Sequence, residues 1–117
     1  MKLPTGTWKI VADGLLGQLN ITGADANGKL NANMVIQGTP QSELIGLWDE
    51  AAQKIAFFRV LDPASPVTQV YTGFLFDNSR DQPTNLTYTL TGFFEALQSV
   101  PAHRTLYGWF AQITIPG

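Results

Sequence analysis

The chain has 117 residues, of which 44% are hydrophobic and only 14% charged, with a formal net charge of −2 and no cysteine. That length suits one domain with one hydrophobic core, spanning 1–117, and the scattered, weakly acidic charge argues against a nucleic-acid partner, which draws a basic face. Disulfides, thiol chemistry and cysteine-ligated zinc are excluded, and no apolar run is long enough for a membrane helix, so no membrane partner is expected.

The opening Met1-Lys2-Leu3-Pro4-Thr5-Gly6 runs straight into strand-like sequence without a leader pattern. This points to the cytoplasm, or to secretion if a leader has been removed. Trp8, Ile10 and Ala12 then share one face of a first segment, and Leu19 and Ile21 alternate with Asn20 and Thr22 in a second. In a third, Leu30, Ala32, Met34 and Ile36 alternate with Asn31, Asn33 and Gln37. Two-residue alternation at this length marks half-buried strands, and a helical period fits none of these windows. Further strands are expected over 42–49, 54–61, 67–77, 85–95 and 104–115, making eight. The sequons Asn20-Ile21-Thr22 and Asn85-Leu86-Thr87 fall inside expected strands, where glycosylation is not anticipated.

The connections carry turn chemistry. Ala12-Asp13-Gly14 and Asp25-Ala26-Asn27-Gly28 both contain residues that tolerate positive φ. Gly38-Thr39-Pro40 and Asp49-Glu50-Ala51-Ala52-Gln53 are short loops, and Asp62-Pro63-Ala64-Ser65-Pro66 cannot continue a ladder because proline removes donors. Asp77 to Pro83 is the longest polar loop, and Ala96 and Leu97 suggest a helical turn between Glu95 and Pro101. Consecutive strands joined this way form a meander, and an even meander without a polar edge strand is best satisfied by closing into a barrel. The fold class is therefore all-β.

Several segments resemble the avidin/streptavidin family in order and spacing. Gly6-Thr7-Trp8 matches the Gly-x-Trp that starts strand one in calycin-type barrels. Thr22-Gly23-Ala24-Asp25 and Gly28-Lys29-Leu30 resemble that family's second hairpin, and Leu44-Ile45-Gly46-Leu47-Trp48-Asp49 its fourth strand. Tyr71-Thr72-Gly73 resembles strand six and Leu106-Tyr107-Gly108 the start of strand eight. The resemblance implies a streptavidin-like, eight-stranded antiparallel up-and-down barrel that forms homodimers or homotetramers through barrel faces.

It does not imply biotin. In the family, the ureido ring is met by Asn and Ser from strands one and two, Tyr and Ser from strand three, and Asp from strand eight. The matching positions here are Ile10, approximately Gln18, Met34, Ile36 and Phe110. The ring-sandwiching tryptophans are matched by Phe58, Tyr71 and Thr89, and the tryptophan lent by a neighbouring subunit falls near Ala102. Only Gln18 and Tyr71 keep useful character. Each unpaired ureido group costs about 1–3 kcal/mol, so tight biotin binding is not expected.

Alternation predicts an inward set of Trp8, Ile10, Ala12, Leu19, Ile21, Ala32, Met34, Ile36, Ala56, Phe58 and Val60, nearly all apolar. An eight-stranded barrel of this kind either fills its lumen with side chains or holds one small ligand. A filled core is the simpler expectation. The alternative is a dry pocket for a small apolar or aromatic molecule lined by Trp8, Ile10, Gln18, Met34, Ile36, Phe58, Gln69, Tyr71 and Phe110, with Gln69 and Tyr71 as polar handles. Val11, Ile45, Leu47, Phe57, Leu75, Trp109 or Phe110, and Ile113 or Ile115 are expected outside. With so few charges, that outer apolar surface points to self-association.

Catalysis and metal binding find little support in the sequence. The lone His103 lacks a nucleophile or carboxylate nearby, and Asp62, Asp77 and Asp81 are accounted for as turn residues. No cofactor and no catalytic residue is expected. The leading reading is a non-enzymatic, self-associating barrel. A lipocalin or fatty-acid-binding-like carrier shares the Gly-x-Trp start but normally has more strands or a longer chain and a helical lid, for which this chain has little room. A barrel enzyme of the cyclase or isomerase type needs a polar, titratable lumen.

Overall fold

Two-residue alternation becomes eight strands in a computed structural model that describes residues 1–60, 68–79, 85–97 and 106–116. They are β1 (Gly6–Ala12), β2 (Leu15–Ala24), β3 (Leu30–Ile36), β4 (Ser42–Asp49), β5 (Lys54–Val60), β6 (Thr68–Asp77), β7 (Asn85–Leu97) and β8 (Leu106–Pro116). Each pairs antiparallel with its sequence neighbour, and β8 returns to β1, closing the barrel in the order β1 to β8. Closure gives each of these strands a partner on both sides.

The turns follow the sequence chemistry. Asp13 and Gly14 both take positive φ (49° and 78°), as a two-residue hairpin requires, and join Ala12 to its partner Leu15. At the β2–β3 turn, the Asp25 side chain accepts hydrogen bonds from the backbone N–H of Asn27 and of Lys29, 2.9 Å each. Gly28 there has a φ of 83°, and a Cβ at this position would strike the carbonyl oxygen of Trp48, so no other residue serves. β7 extends through Ala96 and Leu97, past the expected end at Glu95. These two residues are strand, held in register against Gln69 and Thr68, and not the start of a helical turn.

The seams differ in strength. β6–β7 and β7–β8 run in continuous register from Thr68↔Leu97 to Asp77↔Tyr88 and from Asn85↔Pro116 to Glu95↔Leu106. β3 and β4 pair only through Asn33↔Glu43 and Met34↔Ser42, with one isolated bridge at Lys29↔Leu47. The barrel is thus firmly zipped on one side and loosely on the other.

Cross-strand partners share a face of the sheet, so the register sorts side chains into rows. One inward row is aromatic across four strands: Phe57, Tyr71, Phe94 and Tyr107 are successive partners. Their rings stack at 4.8, 4.7 and 5.2 Å. Trp109 meets Phe57 and Tyr71 edge-on at 5.9 and 5.7 Å. Its indole has room because Gly73 on β6 carries no side chain: a Cβ there would strike the indole ring. Its Nε1 donates to the carbonyls of Thr72 and Phe93, both at 3.1 Å, so the buried polar atom is satisfied.

Candidate functional site

The interior is the first place to look for a ligand. Trp8, Ile10, Leu19, Met34, Leu90 and Ala111 present no surface that water can reach, from outside or from an internal void. Ile36 and Tyr71 are nearly as enclosed. Around these residues the lumen is packed with the chain's own side chains. The expected inward set holds along β1, β2 and β3, where Trp8, Ile10, Ala12, Leu19, Ile21, Ala32, Met34 and Ile36 are all buried.

On β5 the phase is reversed. Ile55, Phe57 and Arg59 face in, whereas Ala56 is only partly buried and Phe58 is 49% exposed. Phe57 was expected outside and is 2% exposed; Leu75 was also expected outside and is buried. The reason is physical: β5 carries large apolar residues on both faces, so alternation alone does not choose between them, and the charge of Arg59 favours the wrong choice. Stacking of Phe57 on Tyr71 and against Trp109 decides it. On β8 the open alternative resolves with Trp109 buried and Phe110 exposed, and with Ile113 buried and Ile115 partly so.

Of the candidate lumen residues, Trp8, Ile10, Met34, Ile36 and Tyr71 therefore converge inside, with Gln69 partly buried above Tyr71. Gln18, Phe58 and Phe110 do not join them. Gln18 is exposed in a row with Lys9 and Val35, and Phe110 lies in the outward row with Phe74 and Val11. Thr89 also faces away, accepting a hydrogen bond from Gln112 Nε2 at 3.3 Å on the exposed side. Ala102, His103, Asp62 and Asp81 lie outside the described residues. Asp77 is an exposed turn residue whose carboxyl is held below its ordinary pKa by hydrogen bonds from Ser79. Among the described residues, no three His, Asp or Glu side chains converge as a metal site would require.

The polar content of the interior gathers at one mouth. Arg59 is 2% exposed, and its terminal nitrogens donate to Thr39 Oγ1 at 2.6 Å and Gln69 Oε1 at 3.3 Å. Tyr71 donates its hydroxyl proton to the same Gln69 oxygen at 2.9 Å. Burial raises the Tyr71 pKa above 10.0, a shift partly opposed by the neighbouring Arg59 charge. Arg59 and Thr39 were absent from the expected site. The signal for Arg59 was its place two residues beyond Phe57, once Phe57 is recognised as inward.

At the opposite end, an open cleft of about 720 Å³ lies between the N-terminal segment, the β2–β3 hairpin and the β4–β5 turn, with Trp48 along its wall. Its charged lining residues are Lys2, Asp25, Asp49 and Glu50, which are turn and terminal groups.

The outer surface is asymmetric. Over most of β1–β3 it is polar: Thr7 Oγ1 donates to Asn20 Oδ1 at 3.0 Å, and Asn20 Nδ2 to Asn33 Oδ1 at 2.8 Å, with Lys9 and Gln18 in the adjoining row, but Leu16 is 64% exposed beside Val11 in the row of Phe110. From β4 to β8 it is apolar. Ile45, Phe58, Val70 and Leu106 lie in one outward row with Glu95, and Leu47, Ala56, Thr72 and Phe93 lie in the next. Phe74 and Phe110 occupy a third. Ile45 alone is 69% exposed, and the four phenylalanines are each exposed by nearly half.

No protein-family model matches the chain, and no curated protein or solved structure is significantly similar to it.

Proposed function

We propose that this protein is a non-enzymatic, streptavidin-like barrel that self-associates through the apolar outer face of β4–β8. The observation that carries the reading is the concentration of outward apolar side chains on β4–β8, continued by Leu16 next to Val11 and Phe110. Half-exposed, the phenylalanines 58, 74, 93 and 110 contribute roughly 400 Å² at ~200 Å² per ring. Ile45, Leu47 and Leu106 bring the face to roughly 700 Å², above the ~300–600 Å² typical of the largest patch on a monomer and near the ~800 Å² per partner of a standard interface. A second copy of the chain is the occupant that fits, because the sequence is short of charged residues that could otherwise keep such a face solvated.

A lipid occupant fits less well. A membrane barrel needs an apolar band around its full circumference, and the Thr7, Lys9, Gln18, Asn20 and Asn33 side of this barrel is polar. The enclosed side chains of Trp8, Ile10, Met34 and Leu90 favour a filled lumen over a ligand pocket, and the same enclosure speaks against the carrier and enzyme readings. Burying biotin's ureido group against Ile10, Met34 and Ile36 would leave it without partners.

Sedimentation equilibrium tests the proposal. The wild-type chain is expected to be a dimer or larger at micromolar concentration. Phe58→Lys should shift it to monomer, whereas Asn33→Lys, on the polar side, should not. A monomer at high micromolar concentration would refute the reading.

A further inference from the structure

We propose that the barrel mouth at Arg59 is a binding site for a small oxyanion, a carboxylate fitting it best. A guanidinium is permanently charged and offers five N–H donors. Here it is 98% enclosed, yet the side chains that accept from its terminal nitrogens, Thr39 Oγ1 and Gln69 Oε1, are both neutral. Its Nε is buried without any partner. No carboxylate among the described residues reaches it. Burying a charge without a counter-charge is strongly unfavourable, so the arrangement of the described residues favours an anion here.

The neighbouring groups make the deficit sharper. Gln69 Oε1 already accepts from both Arg59 and Tyr71, and Thr39 Oγ1 accepts from Arg59 while donating to the Ile36 carbonyl at 2.8 Å. Each of these side-chain acceptors is neutral and already engaged, and donors remain in excess. The unpaired Nε–H and the adjacent amino hydrogens form the planar fork that two carboxylate oxygens match. Gln69 and Thr39 are only partly buried, and they are the side chains an incoming anion displaces. The site faces inward and shares no residue with the outward apolar face, so its test is independent of self-association.

Thermal unfolding of the full chain at constant ionic strength, with sodium acetate or phosphate replacing chloride, tests the site. The expected result is a saturable rise in Tm, reaching at least ~5 °C once the anion exceeds its Kd about a hundredfold. Arg59→Met should abolish the response and Arg59→Lys retain part of it. A response to acetate alone marks a carboxylate site, and a response to both anions marks a general oxyanion site. No saturable rise, or the same rise in Arg59→Met, overturns the proposal. If Arg59→Met does not fold, the Nε–H resonance of Arg59 in the wild-type chain should move saturably with acetate; an unmoved resonance overturns it equally. Asp62, three residues along and outside the described residues, supplies a final control. Asp62→Asn should leave the anion response unchanged, and a response that appears or grows only in Asp62→Asn would show that the chain provides its own counter-charge and overturn the proposal.

Discussion

Phe57 and Phe58 are adjacent copies of one side chain on opposite sides of the sheet, and replacing each by alanine separates the two possible phases of β5. Phe57 is 2% exposed, stacked on Tyr71 at 4.8 Å and edge-on to Trp109 at 5.9 Å. Truncating a buried phenylalanine costs about 3–5 kcal/mol, including the cavity it leaves. At ~4 °C per kcal/mol for a domain of this size, Phe57→Ala should lower Tm by about 12–20 °C. Phe58, half-exposed on the outer face, should cost about 1 kcal/mol in the isolated chain. Urea unfolding followed by tryptophan fluorescence, at two protein concentrations tenfold apart, makes the comparison. The Phe57→Ala loss should be the same at both, whereas the Phe58→Ala loss should vary with concentration because association adds stability by mass action. Phe57→Leu should fall between wild type and alanine, which keeps the comparison open if alanine does not fold. A costly Phe58→Ala beside a mild Phe57→Ala would refute the packing described for β5.

Gly92→Ala should destabilise by about 2 kcal/mol or more, read as a lower urea midpoint, because its Cβ would strike the Thr72 carbonyl and the Gly73 backbone. Alkaline titration should find stability steady up to the unfolded tyrosine pKa near 10 and falling above it, since burial raises the folded Tyr71 pKa and the unfolded chain ionises first. Tyr71→Phe should flatten that fall, and an unchanged slope would show that Tyr71 does not cause it. Hydrogen exchange should be faster for the amides of residues 44–46, beside the sparsely paired β3–β4 seam, than for those of 89–92 in the continuous β7 ladders. Equal protection at the two places would mean that the seam is as firm as the rest.

The barrel was legible because its strands are mostly one-sided. On β1 and β3, every second residue is apolar and most of the residues between are Thr, Lys or Asn, with only Val11 and Val35 breaking the pattern, so direction and spacing follow from period. Asp13-Gly14 and Asp25 to Gly28 announced their turns through the positive φ they accept. The strands that escaped correct facing are those with apolar residues on both sides: Ile55 to Phe58, Phe74 to Phe76, and Trp109 beside Phe110. There, only cross-strand partners fix the phase. Tyr71 pulls Phe57 inward, and the space over Gly73 admits Trp109. The same two-sidedness that hid the facing produces the outer apolar patch. Arg59 was missed because a charge reads as solvent-facing unless the inward neighbours two residues away are already known.

Self-association through one particular face is most directly tested by spin-label distances. The chain has no cysteine, so Thr72→Cys, amid the apolar rows, and Thr7→Cys, on the polar side, each give a single labelling site. Across a barrel whose shorter extents are 30 and 24 Å, labels on the buried face should lie near one another in the assembly, while labels on the far side should be separated by about two barrel widths. A short Thr72 distance with a long Thr7 distance is the expected result. A short Thr7 distance, or no dipolar signal from either site, would contradict the assignment of β4–β8 as the face that joins two copies.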